Sequence, residues 1–129
     1  MPHAARKLTP VLMVEKVEPC VAFWERLGWV KVAEVPHEDA LGFAILVKDG
    51  VELMYQSRAS VAADLPPIAE QPMGGTFLFL EIDDLDGAIR DLGTARAVVP
   101  RRQTFYGMDE YVVQDPAGNM VIFAMKLPG

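Results

Sequence analysis

The sequence predicts an α+β fold in which two βαβββ modules form a cupped mixed sheet with helices on its outer face. Two hairpin signatures, and the order of elements around them, carry this expectation. Tyr111 to Met125 reads YVVQ, DPAGN, MVIFAM: two apolar runs about a cluster of turn formers. Phe43 to Gln56 reads FAILV, KDG, VELMYQ, again strand, Asp-Gly turn, strand. Laid on one another at the turns, Val51 matches Val121, Glu52 matches Ile122, Leu53 matches Phe123 and Met54 matches Ala124. A module written twice does its work between the copies, so the differences between the copies are informative.

Each element follows from its residues. Residues 1–7 form a loose arm. Leu8 to Val14 reads as the first strand; Pro10, which has no ladder donor, places it at a sheet edge or leaves its start unpaired. Glu18 to Gly28 reads as a helix, with Pro19 in its first turn and Gly28 just past its end. Val17, Val21, Trp24 and Leu27, with Cys20 in line, make its apolar stripe. Strands follow at Trp29–Val35 and Leu41–Lys48, with Pro36 to Asp39 as a loop, and Val51–Gln56 closes the first half.

Ser57 to Gly75 breaks the pattern. Ser60 to Leu65 suits a turn or two of helix, and Pro66-Pro67, Pro72 and Gly74-Gly75 read as a connector. Thr76–Ile82 starts the second copy. Asp83-Asp84 supply an N-cap for a short helix, Leu85 to Gly93, with Leu85, Ala88, Ile89 and Leu92 inward. Ala97–Thr104 and Met108–Gln114 are the next strands, joined across Phe105-Tyr106-Gly107. Val14 then matches Ile82, Leu27-Gly28 matches Leu92-Gly93, and Pro36 matches Pro100, an internal duplication rather than a solenoid. One domain is expected over 1–129, with module 1 at about 8–56, a linker at 57–75 and module 2 at about 76–126.

Composition narrows the function. With 51% hydrophobic residues the 129-residue chain has enough apolar material for a core. A net charge of −6 argues against a nucleic-acid partner but not against a cationic small molecule. Cys20 is the sole cysteine, which excludes an internal disulfide and a cysteine-based zinc site. No apolar run reaches the ~18 residues of a membrane span and the N-terminus lacks a signal-peptide core, so a cytoplasmic protein with no membrane partner is expected.

Strand alternation separates two faces. The helix-covered face should be apolar throughout, and it reads Leu8, Pro10, Leu12, Val14; Leu78, Leu80, Ile82; Val51, Leu53, Tyr55; and Val121, Phe123, Met125. The opposite face carries Thr9, Val11, Met13; Phe77, Phe79, Glu81; Glu52, Met54, Gln56; and Ile122, Ala124, Lys126. Aromatic, thioether, amide and carboxylate groups together suit a small-molecule cup, in which apolar area gives affinity and a few polar groups set orientation. The plainer reading of that face is half-buried sheet or a dimer contact.

FWERLGW after an apolar strand, the VELMYQ hairpin, the second βαβββ copy and YGMDEYVVQDPAGNMVIF together resemble the vicinal oxygen chelate superfamily. This is the group of glyoxalase I, the bleomycin-resistance proteins and the extradiol dioxygenases, and the resemblance covers nearly the whole chain. It implies metal-ligand positions at Thr9, Glu52, Phe77 and Ile122, where metal-using members carry His, Glu or Gln. Of these only Glu52 is a good ligand, and His3 and His37 fall in the arm and a loop. The chain therefore looks most like the bleomycin-resistance branch, which sequesters a ligand in a groove of a homodimer without a metal. No cofactor and no catalytic residue are expected, and the partners implied are a small, partly hydrophobic molecule and a second copy of the chain. The rival is a glyoxalase-type lyase or isomerase, or a dioxygenase-like enzyme, metal-dependent or using Glu52 as base.

The candidate ligand-binding residues are Thr9, Met13, Glu52, Met54, Gln56, Phe77, Phe79, Phe105, Tyr106 and Ile122. Glu52 is either the polar anchor of the pocket or a relic tied by a hydrogen bond to a neighbour; unpaired among Phe77, Met54 and Ile122 it would titrate high. Phe77 and Phe79 either stack on a flat ligand or plug an unused cup. Phe105 and Tyr106 either form a lid or a dimer contact. At most one of Arg101 and Arg102 looks inward, where it would suit an anion, and both being solvated is the commoner outcome. Trp24 and Trp29 pack the first helix onto its sheet, and Cys20 is buried and inert.

Overall fold

Residues 3–129 are described by a computed structural model. The first half runs Val11–Val14 (β1), Val17–Glu25 (α1), Val30–His37 (β2), Ala40–Lys48 (β3) and Val51–Ser57 (β4). Two short helices, Arg58–Asp64 (α2) and Pro66–Ala69 (α3), follow. The second half repeats the pattern with Phe77–Glu81 (β5), Leu85–Leu92 (α4), Ala97–Gln103 (β6), Met108–Gln114 (β7) and Met120–Lys126 (β8). Two four-stranded mixed sheets result, ordered β1-β4-β3-β2 and β5-β8-β7-β6. In each the outer pair, β1 with β4 and β5 with β8, is parallel, and the rest is antiparallel.

Local chemistry sets the boundaries. β1 lies at a sheet edge and starts at Val11, not Leu8, because Pro10 has no N–H for the ladder; its carbonyl still accepts Met54 N–H at 3.0 Å. Leu8 is correspondingly 96% exposed and leaves the covered face on which alternation had placed it. The expected loop over Pro36 to Asp39 shrinks to a two-residue turn at Glu38-Asp39. β2 runs on through Pro36 to His37, with a register shift between Val35 and Pro36. In the connector, Ser57 caps α2 by accepting Ser60 N–H at 3.1 Å, so the expected turn or two of helix is α2, and Pro66 opens α3. Asp84 caps α4 through Gly87 N–H at 2.9 Å. Asp84→Ala should cost about 1 kcal/mol of stability in urea unfolding, as N-cap losses do.

The covered faces of both sheets share one core. Leu12, Val14, Leu53 and Tyr55 of the first join Val113, Val121 and Phe123 of the second, with Val17, Val21 and Trp24 from α1. Trp24 lies edge-on to Trp29 at 4.8 Å and 6.3 Å from the Phe123 ring, so it touches both halves. A buried polar chain adds direction. Trp24 Nε1–H donates to the Tyr55 hydroxyl and Tyr55 donates to Asp115 Oδ2, both at 2.8 Å. Asp115 also accepts the backbone N–H of Ala117 and of Asn119, closing the β7–β8 turn. Burial, aided by the Asp115 charge, pushes the Tyr55 phenol well up, and the same two causes push the Cys20 thiol up to about 12. No helix among the described residues is long and apolar enough to cross a membrane.

Candidate functional site

The faces that carry the candidate residues point away from the shared core. On the first sheet, β1 and β4 set Val11 beside Met54 and Met13 beside Gln56. On the second, β5 and β8 set Phe77 beside Met120 and Phe79 beside Ile122. The two sheets share no paired strand, and among the described residues no hydrogen bond or ion pair joins these two faces. Each face is a candidate half-cup, open to solvent at Val11 on the first sheet and at Phe77 and Phe79 on the second. Phe77 is 72% exposed and Phe79 54%, so neither plugs a cavity within one chain. Clefts of about 610 and 330 Å³ do occur, but none of the ten candidate residues lines either.

The first half-cup holds one polar group of note. Glu52 accepts a hydrogen bond from Thr9 Oγ1 at 3.1 Å and an ion pair from Lys7 Nζ at 2.8 Å. Its carboxyl is thus not the unpaired acid that would titrate high: the Lys7 hydrogen bond foremost, with Thr9, holds it below the ordinary 4.5 against the effect of partial burial. A folded-state value below the unfolded one stabilises the fold at pH above the unfolded value and is lost as pH falls through the folded one. The difference in melting temperature between the protein and Glu52→Gln should therefore be present at neutral pH and shrink as the pH falls below the ordinary carboxyl range. Met54 sits half-buried two residues along β4 from Glu52, and Gln56 turns aside to donate to Ser60 Oγ at 3.0 Å.

The second half-cup contains a residue that the sequence reading missed. Glu110 on β7 is 2% exposed and lies opposite Ala124 on the cup side of its sheet. Arg102 reaches it from β6 at 3.2 Å, and the Tyr106 hydroxyl donates to its other carboxylate oxygen. Tyr106 is therefore fixed to the sheet by its ring tip, and its phenol is pushed up, first by the hydrogen bond to Glu110. Phe105, edge-on to it at 5.0 Å, is 99% exposed. Arg101 points to the other face and binds Asp109 and Asp86, so both arginines are spoken for by carboxylates and neither is only solvated. The signal for Glu110 was parity: counting back from core Val113, every second residue of β7 faces the cup.

The four positions that the resemblance implies as metal ligands carry few donor atoms. Thr9 and Glu52 are bonded to each other, while Phe77 and Ile122 have no donor atom. His3 and His37 lie off these positions, and no group of three or more His, Cys, Asp or Glu able to hold an ion occurs among the described residues.

The family profile described as "Glyoxalase/Bleomycin resistance protein/Dioxygenase superfamily" matches residues 2–123. No curated protein matches the chain in sequence. Among solved structures, a glyoxalase/bleomycin resistance protein/dioxygenase from Nocardioides superposes with a TM-score of 0.76 at 21% identity, over 99% of this chain and 88% of that one. TioX from Micromonospora sp. ML1 gives 0.73 at 19% identity, over 95% and 100%. A bleomycin resistance determinant encoded on the transposon Tn5 gives 0.66 at 21%, over 95% and 98%. Likeness at this identity is likeness of fold.

Proposed function

The chain belongs to the glyoxalase/bleomycin resistance protein/dioxygenase superfamily, and within it we propose a metal-independent binder that sequesters a small, partly hydrophobic molecule in the cytoplasm. The observation that carries this reading is the content of the four ligand positions: a self-satisfied Thr9–Glu52 pair and two hydrocarbon side chains. A divalent ion would find one carboxylate there, already neutralised by Lys7. An apolar molecule would find Met13, Met54, Phe77, Phe79 and Ile122, with Glu52, Thr9 and Gln56 to orient it and Phe105 and Tyr106 at the rim.

The ligand site needs a second copy of the chain. Each half-cup is open, and edge strands that leave Val11 on one sheet and Phe77 and Phe79 on the other more than half exposed are of the kind that partners cover. In the homodimer the first half-cup of one protomer faces the second half-cup of the other, within a single domain per chain. Glu52 is a poor general base, since Lys7 and Thr9 stabilise its charged form and lower its basicity.

A native mass spectrum of protein purified from cells tests this reading. A dimer of metal-free mass, with a retained organic ligand that survives chelator washing at unchanged melting temperature, is the expected result. A stoichiometric divalent ion whose removal abolishes ligand affinity would overturn it, as would substrate turnover lost in Glu52→Gln.

A further inference from the structure

The 610 Å³ cleft lies between the two modules on their helix side and meets the cup face only at Glu81, at the end of β5. One wall is the end of β5, the Asp83-Asp84 corner and the first turns of α4; the other is Trp29 and the β3–β4 turn. Its volume falls within the range of small-molecule sites, roughly 300–1,000 Å³.

The internal duplication gives this cleft a control. Its pseudo-symmetric counterpart is the 330 Å³ cleft, formed by the β1–α1 corner at Lys16 and Pro19 and the β7–β8 turn at Pro116 and Ala117. Near that smaller cleft the modules are tied by Trp24, Tyr55 and Asp115. Carried across by the matches Leu27 with Leu92 and Val51 with Val121, the positions of Trp24 and Tyr55 become Ile89 and Met125. Neither has a hydrogen-bond donor in its side chain, and no side-chain hydrogen bond to Asp49 of the β3–β4 turn occurs among the described residues. Small Gly87 and Ala88 on α4 leave the wall low. Of the two equivalent gaps, the one beside the polar tie is the smaller, at 330 Å³ against 610 Å³.

Charge states what the larger one takes. Its floor is the half-buried Leu80 and Ile82 over the covered Trp29 and Phe123, and its lining carries five carboxylates against two cations, Lys48 and Arg90; Glu81 pairs with Lys126 and Asp84 caps α4, which leaves Asp49, Asp83 and Asp91. Lys48 is already engaged with the Leu27 carbonyl at 2.7 Å. Asp83 and Asp91 are exposed and form no ion pair among the described residues. We propose that this inter-module cleft is a second binding site, distinct from the cup, for a small organic cation with an apolar or aromatic body. The ammonium sits at the Asp83–Asp91 rim and the body lies on Leu80 and Ile82.

Titration of the isotopically labelled full-length protein with benzylammonium chloride, followed by amide and indole NMR shifts, tests this. Saturable shifts are expected at Trp29 and over Leu80 to Ala88, with Phe79 and Ile122 unmoved. Benzyl alcohol should bind at least about threefold more weakly, and Asp83→Asn with Asp91→Asn should weaken benzylammonium about three- to tenfold, as expected for exposed charges. The substituted positions are solvent-facing, so the variant keeps its fold, which its amide spectrum will show. Absent or non-saturable shifts, shifts centred on the cup residues, equal affinity for the alcohol, or undiminished affinity in the double variant would each overturn the proposal.

Discussion

Trp24→Ala should lower the unfolding free energy by about 3–5 kcal/mol, the cost of emptying a buried aromatic site. Trp24 is 1% exposed, and its ring meets Phe23, Trp29 and Phe123, the last from the other half of the chain. The indole also donates to Tyr55, which in turn donates to Asp115, so truncation removes apolar contact and the donor that orients the phenol. A protein of this size has roughly 5–15 kcal/mol in all, which leaves the variant little margin. Trp24→Phe separates the two contributions: it keeps most of the ring and should lose about 1 kcal/mol for the hydrogen bond, along with part of the packing. The measurement is the urea midpoint at constant m. A loss below about 1 kcal/mol for Trp24→Ala would mean that the two sheets do not share this core.

Much of the fold was legible because periodicity and turn chemistry are local. The stripe of α1 shows at helical spacing, and Val17, Val21, Trp24 and Leu27 are all buried. Asp84 announces the start of α4, and the DPAGN and KDG turns fix the registers of β7–β8 and β3–β4. Parity then put Glu52, Phe77 and Ile122 on one face. What parity does not encode is how two faces are disposed. The covered faces of the two sheets meet each other through Trp24 and Phe123, which leaves the half-cups outward on separate sheets, and no alternation within one strand could state that.

The partners of charged groups were equally out of reach. Glu52 is answered by Lys7, from an arm that has no pattern of its own. Glu110 sits in MDEYVV, where acidic residues break the apolar run and suggest exposure; Arg102 and Tyr106, brought over by the β6–β7 turn, are what make its burial tolerable. Pro36 read as a breaker because Pro does break strands, yet the register shift beside it lets β2 pass.

In the proposed homodimer Phe79→Asp should raise the dissociation constant about a hundredfold or more and abolish ligand retention. Phe79 is 54% exposed in the single chain and lies opposite Ile122, so a carboxylate there meets water and loses little, within about 1 kcal/mol for a polar residue on a strand. Within a closed cup the same carboxylate would face the other protomer's Met13 and Met54. An unpaired charge buried against apolar groups costs about 3 kcal/mol or more, and each 1.4 kcal/mol is a factor of ten. Monomer stability and assembly therefore respond differently to one substitution, and only a face that is covered in the working protein behaves so. Sedimentation velocity over a concentration series reads the dissociation constant, and native mass spectrometry reads the ligand. A variant that dimerises as tightly as the parent, or that keeps its ligand, would place the interface and the pocket on some other surface of the chain.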